Sequence, residues 1–258
     1  MPASAASALA RAKERGHRLF ICTGRSAPEV YPRFFDLGFE GIVGGAGGYA
    51  AVGSTVLLDE RMPAEHVEAL TRMWEELGAF YVWQGPDQMG PSRGYLDFFV
   101  PRAGENPQDW VEYGESVTPF VVDIEGGSFT KVTAYVRPEN ASMERISAAL
   151  PDGYRAIIGS VGAAGYVPFE VLPTRLSKAV GIEAVCEYLG IPLSRSVAIG
   201  DSNNDVEAVA RAGVGISIGD GCEALVEVAD IVAPAVGDDG FAWALAAAGL
   251  IDEAPNPA

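Results

Sequence analysis

The stretch that most restricts the fold is Ile199-Gly200-Asp201-Ser202-Asn203-Asn204-Asp205, which joins an apolar run to a helical pattern. Ser196-Val197-Ala198-Ile199 reads as a buried strand, and Val206 to Ala212 as a helix stopped by Gly213. Two carboxylates and two amides therefore crowd one turn at the carboxyl end of a strand. Open α/β sheets place their ligands at that edge. Two readings stand side by side. In one, Asp201 makes an Asx-turn and Asn203 is an N-cap. In the other, Asp201 and Asp205 hold Mg²⁺, which takes one or two carboxylates plus waters and substrate phosphate. A calcium-sensing EF-hand is excluded, because Val206 stands where that loop needs glycine and Ala212 where it needs its closing acid.

Along the chain the pattern changes twice. Ser4 to Arg15 is Ala-rich and helical, with Gly16 to stop it, and Leu19 to Cys22 is a short strand ending in Thr23-Gly24-Arg25. Ser26-Ala27-Pro28-Glu29 opens a predicted helix to Leu37. Gly41 to Val43 is a strand leading into Gly44-Gly45-Ala46-Gly47-Gly48, and a hairpin follows around Gly53-Ser54. From about Met62 the sequence reads as an α+β insert. It has a helix over Pro63 to Leu77, strands at Ala79 to Trp83, Tyr95 to Val100, Phe120 to Ile124, Phe129 to Val136 and Arg155 to Ile158, and a helix over Glu139 to Leu150. Glu105 to Glu115 reads as partly helical. After Gly165 the alternating α/β pattern returns, with a strand at Val167 to Leu172 and a helix from Lys178 to Leu189. The residues Asp252 to Ala258 read as a frayed tail. The fold class is α/β, with residues 1–60 and 160–258 forming one domain around an inserted domain at 61–159.

Charge and composition remove several function classes. A net charge of −17 over 258 residues leaves no cationic footprint for nucleic acid or anionic lipid. The three cysteines are widely spaced and the two histidines isolated, so neither a disulfide framework nor a zinc-histidine cluster is expected. The longest apolar stretch near the end, Phe241 to Ile251, is too short to span a bilayer. No basic flank followed by an apolar region marks a signal peptide, which makes the cytoplasm the expected compartment.

Three further stretches bear on chemistry. Thr23-Gly24-Arg25 offers a hydroxyl and backbone N–H groups at a helix entrance, suited either to a plain turn or to an anion. Lys178 falls in the first turn of a helix, where the macrodipole disfavours a cation unless an anionic ligand compensates. Gly44 to Gly48 leads into a hairpin and not a crossover helix. That rules out a dinucleotide fingerprint and points to a loop where backbone approaches something closely.

Together these pieces resemble the haloacid dehalogenase-like hydrolases, specifically the Cof-type phosphatases with a large inserted cap. Thr23 in Ile-Cys-Thr-Gly-Arg is similar to that superfamily's second motif, Lys178 in Pro-Thr-Arg-Leu-Ser-Lys to the third, and Gly200-Asp201-Ser-Asn-Asn204-Asp205 to the fourth. The glycine run before the hairpin matches the segment that precedes the cap. The resemblance implies a Rossmann-like three-layer core with a parallel sheet, an α+β cap, and Mg²⁺-dependent hydrolysis of a small phosphorylated metabolite through an aspartyl-phosphate. It implies that Thr23, Gly24, Arg25, Lys178 and Asn204 bind phosphate or substrate, with Thr23 and Lys178 the catalytic pair, and that Asp201 and Asp205 serve the metal. Arg93, Tyr95 and Lys131 are candidate cap contacts that otherwise read as surface residues.

One element of the resemblance is missing. The family's first motif, Asp-x-Asp-Gly-Thr, carries nucleophile and general acid/base, yet Met1 to Cys22 holds no aspartate and only one acid, Glu14. The expectation is an upstream start or a truncation that removed a mid-sheet strand with both carboxylates. Two other functions remain: an inactive, phosphate-ligand-binding relative, and a phosphosugar mutase. Substrate identity and oligomeric state are not legible.

Overall fold

The fold is described from a computed structural model, covering residues 1–102, 108–219 and 221–252. In chain order the elements begin with α1 (Ala3–Glu14), β1 (Phe20–Cys22), β2 (Gly41–Gly44), β3 (Tyr49–Val52) and β4 (Thr55–Asp59). They continue through α2 (Ala64–Glu76), β5 (Phe80–Gln84), β6 (Met89–Pro91), α3 (Tyr95–Phe99) and α4 (Gln108–Val117). Next come β7 (Lys131–Val136), α5 (Met143–Ala148), β8 (Tyr154–Ile158) and β9 (Val167–Pro173). The last third holds α6 (Lys178–Leu189), β10 (Val197–Gly200), α7 (Val206–Arg211), β11 (Val214–Ile218), α8 (Glu223–Val228), β12 (Ile231–Ala233) and α9 (Gly240–Ala247). These divide into two compact units: Met1–Gly24, Pro32–Leu58 and the chain from Ser177 onward form the first, and Arg25–Tyr31 with Asp59–Leu176 the second.

In the first unit, α1 follows from its alanine content, since alanine is the best helix former. It buries Ala8 and Ala12 against Ala242 and Leu245 of α9. Its late cations Arg11 and Lys13 sit where the helix dipole favours them. β1 pairs parallel with β2, and β2 pairs antiparallel with β3. Gly53 turns the β3–β4 hairpin with φ +55°, as its position between two alternating runs predicts. β10, β11 and β12 form a separate parallel sheet. The parallel sheet expected from the sequence is thus interrupted. β1 pairs only with β2 and β10 only with β11 among the described residues. Both edges lie over one cluster, because Leu19 and Ile199 pack on the α1–α9 core.

The second unit is built on a five-stranded antiparallel sheet in the order β6-β5-β7-β9-β8. Strand alternation sends Trp83, Val132, Phe169 and Val171 to one face, where Leu70 and Trp74 of α2 and Ile146 of α5 cover them. The opposite face carries Val82 and Tyr135 under Tyr95, Phe98 and Phe99 of α3 and Tyr113 of α4. The segment Arg25–Tyr31 is fastened here by the buried Glu29. Its carboxylate accepts from Ser26 N (2.8 Å), Ser26 Oγ (2.8 Å), Gln84 Nε2 (2.7 Å) and Tyr113 Oη (3.2 Å).

Several expectations need correction. Residues 95–99 are helical, not a strand, because Tyr95, Phe98 and Phe99 at helical spacing all reach the aromatic core. The expected helix from Ser26 to Leu37 is two short 3₁₀ turns, Ala27–Glu29 and Pro32–Leu37, separated at a proline that lacks the N–H a continuous helix requires. Phe120 to Ile124 carries no strand, only an isolated bridge from Val121 to Met89. Glu139 to Leu150 is helical only over Met143–Ala148, after a 3₁₀ turn at Pro138–Asn140. The strand at Val167–Pro173 lies between β7 and β8, so it extends the insert's sheet. The unit boundary accordingly falls at Leu176–Ser177, not near residue 160. Of the segment expected to be partly helical, residues 105–107 lie outside the described residues, as do 253–258 of the tail.

Unpaired strand edges invite pairing with another chain. With one edge of β1 and one of β10 unpaired among the described residues, the 258-residue chain is expected to self-associate, its light-scattering mass rising with concentration; a constant monomer mass over the same range would contradict this.

Candidate functional site

The loop after β10 is shaped by a glycine and a buried acid. A Cβ on Gly200 would lie 2.3 Å from Asp205 Cβ, so only glycine lets the acid fold back under the strand end. Asp205 is 6% exposed. Its Oδ2 accepts from the backbone N–H groups of Asp201 and Ser202, each at 3.2 Å, and lies 3.0 Å from Ser202 Oγ. Its Oδ1 lies 2.5 Å from Lys178 Nζ. Asn204 Oδ1 accepts a second bond from the same ammonium at 2.9 Å. Asp205 therefore performs a cap and an ion pair at once. The capping serine is Ser202, where the sequence reading offered Asn203.

Lys178, 5% exposed, opens α6. The anion that offsets the unfavourable helix dipole there is the carboxylate of Asp205. A buried ammonium and carboxylate remain charged only when paired and hydrogen-bonded, and here both conditions hold. Cys22, at the end of β1, responds to the same pair. Burial pushes its thiol up to about 12, Lys178 pulls it down and Asp205 raises it.

Thr23 and Gly24 complete this end of the first unit. Thr23 N donates to Val43 O at 2.8 Å, and Ala46 N donates to Thr23 O at 3.2 Å. Gly24 runs close to Asn204, whose Nδ2 would lie 3.1 Å from an added Cβ. Thr23, Gly24, Lys178, Asp201, Asn204 and Asp205 all belong to the first unit. Arg25 belongs to the second. Its guanidinium lies 5.7 Å from the Tyr31 ring centroid and 5.6 Å from that of Trp110, and donates to Glu29 O at 3.2 Å. Among the candidate contacts of the insert, Arg93 is exposed. Tyr95 and Lys131 are buried, contrary to a surface reading, with Lys131 Nζ 2.5 Å from Glu170 Oε2.

Asp201 is the carboxylate left over. It is exposed, and its side chain has no hydrogen bond or ion pair among the described residues. No group of three or more His, Cys, Asp or Glu that could hold a metal exists among the described residues. The donor set is thus one available carboxylate beside one committed to Lys178. That fits a hard, largely hydrated ion such as Mg²⁺ and not a closed protein cage. Sequence reasoning missed Ser202 as the cap, though Ser-x-x-Asp is a cap signature, and missed Glu29 as a buried anchor.

The family model for haloacid dehalogenase-like hydrolases matches residues 1–245. The chain belongs to this family. Among its relatives, the protein named "Putative phosphatase YkrA" of Bacillus subtilis (strain 168) is 25% identical over 251 residues, covering 97% of this chain and 92% of its own length. A hypothetical protein of Geobacillus kaustophilus HTA426 is 27% identical, with TM-score 0.76 over 97% of this chain and 93% of its own. The HAD subclass IIB sugar phosphatase BT4131 shares the fold at TM-score 0.76 with 21% identity, covering 97% of this chain and 93% of its own. The mixed α/β architecture of this haloacid dehalogenase-like chain is thus that of its structural neighbours. No helix among its described residues is long and apolar enough to cross a membrane.

Two outcomes follow from the geometry. Asp205→Ala leaves the Lys178 ammonium buried without its partner and should cost about 3–5 kcal/mol in urea unfolding, whereas Lys178→Met/Asp205→Leu should cost much less than the summed single variants. Equal and additive losses would show that the pair is not coupled. Because Cys22 is raised to about 12, its neutral form is favoured by folding. The contribution is complete below the ordinary thiol range and is lost as pH rises toward the folded value. Alkylation of Cys22 in the folded protein should therefore stay slow from pH 8 to 10 while a free thiol accelerates, and equal rates would contradict the assignment.

Proposed function

We propose that this chain binds a small phosphate monoester together with Mg²⁺ and is a phosphatase of the haloacid dehalogenase-like type. The observation that carries the reading is the convergence of Lys178, Asn204 and Asp205 at the carboxyl end of β10, with Gly24 of the Thr23 turn against Asn204. In this reading Thr23 and Lys178 hold phosphate oxygens, and Gly24 and Asn204 line the approach. The Lys178 ammonium offsets charge on the transferring group, and its bond to Asp205 holds it in place. Positioning and charge stabilisation of this kind supply most of the catalysis in phosphoryl transfer. Asp201 would hold Mg²⁺, with Asp205 fixing the Asp201 backbone through its N–H. When bound, the ion supplies Lewis-acid neutralisation of the phosphate.

Ligand binding without turnover is the second reading. The sugar phosphatase BT4131 among the structural neighbours supports sugar phosphates as the first substrates to try.

Calorimetry with inorganic phosphate, with and without Mg²⁺, tests the shared part. Binding that Mg²⁺ strengthens and Lys178→Met weakens by about tenfold or more is expected; absence of binding overturns both readings. Incubation with a sugar-phosphate panel then separates them. Free phosphate marks a phosphatase, an isomerised sugar phosphate a mutase, and binding alone the non-catalytic relative.

A further inference from the structure

We propose that the buried loop Gly44–Gly48 is the positioning element of the phosphate site, and that Gly47 within it sets the spacing between Thr23 and Lys178. The inference rests on the phosphate-binding reading and adds a residue to it. The loop touches both sides of the site through backbone. On one side Ala46 N donates to Thr23 O at 3.2 Å, while Thr23 N donates to Val43 O at 2.8 Å, so the threonine is held at both main-chain groups. On the other side Gly47 lies against the peptide that joins Ser177 to Lys178. A Cβ at Gly47 would stand 1.8 Å from Ser177 O and 2.9 Å from Lys178 N. No side chain can occupy that space, and the obstacle is backbone, which cannot rotate away.

The loop is shaped for this contact. Gly45, Ala46 and Gly47 have φ of +57°, +56° and +96°. Ala46 holds a left-handed conformation that non-glycine residues adopt only where the surroundings impose it. Residues 41–48 are all buried. A second glycine locks the helix from its own side: a Cβ on Gly181 of α6 would stand 2.3 Å from Val43 Cγ1. Two glycines, one in the loop and one in the helix, thus seat the first turn of α6. Lys178 is the first residue of that helix, so the seat fixes where its side chain starts, and Asp205 fixes where its ammonium ends.

Gly47→Ala in the full chain tests the proposal, with Gly53→Ala as the control. Gly53 also has positive φ, +55°, but a Cβ there meets nothing within 4 Å, so it imposes the backbone cost without the collision. Two readouts apply: the ¹⁵N–¹H signal of the Lys178 ammonium, slow to exchange because the group is buried, and the affinity for inorganic phosphate. Gly47→Ala is expected to shift or broaden the ammonium signal and to weaken phosphate by about tenfold or more, while Gly53→Ala leaves both within about twofold. A Gly47→Ala chain with the unaltered signal and affinity overturns the proposal. Should Gly47→Ala not fold, Gly181→Ala reads the same seat: it should move the Lys178 signal, and Val43→Ala/Gly181→Ala should restore it. An unmoved signal in both overturns the proposal. If the unsubstituted chain binds no phosphate, the functional reading fails, while the ammonium signal still decides whether Gly47 seats Lys178.

Discussion

The buried bond between Lys178 and Asp205 is the interaction on which the first unit's strand-end region depends. Neither charge tolerates burial alone, so each requires the other, and between them they fix three pieces of chain. Asp205 folds the loop after β10 back on itself through two backbone amides. Lys178 pins the start of α6 to that loop, and Asn204 joins the same ammonium while Gly24 lies against its amide. The glycines at 24, 47, 181 and 200 are the steric counterpart of this electrostatic tie, since each stands where a Cβ would meet a neighbouring element. Charge draws the pieces together, and missing side chains let them arrive.

This division of labour suits a site that handles phosphate. In the proposed reading, a pre-paired ammonium costs no reorganisation when an anion arrives, and the exposed Asp201 would face a hydrated cation. Both oxygens of Asp205 are engaged within the fold, Oδ1 with the Lys178 ammonium and Oδ2 with the Asp201 and Ser202 backbone amides. The second unit has its own buried anchor in Glu29.

Much of this was legible in the sequence, and the exceptions are physical. The strand–turn–helix at 197–211 and the helix at 178–189 follow from local apolar spacing and from glycine at their ends, so they were read correctly. Tyr95 to Val100 reads as a strand from sequence because aromatic residues favour strands in general, while in the fold three of them meet a shared core at helical spacing. The strand at 167–173 was assigned to the wrong unit because partner choice is a long-range property that a buried apolar run does not encode. The sequence offers Asp205 only as a metal ligand, and its bond to Lys178, 27 residues away, is a long-range contact that local spacing does not encode. Gly44 to Gly48 was read as a close approach, but its partner, the Ser177–Lys178 peptide, could come only from the fold.

The most direct measurement is an anomalous-scattering crystal structure of the protein soaked with tungstate, a tetrahedral stand-in for phosphate. One dominant tungsten peak is expected within hydrogen-bonding reach of both Thr23 Oγ1 and Lys178 Nζ, at the carboxyl end of β10. A dominant peak elsewhere, or none beside Lys178 in a crystal that retains the Lys178–Asp205 bond, would contradict it.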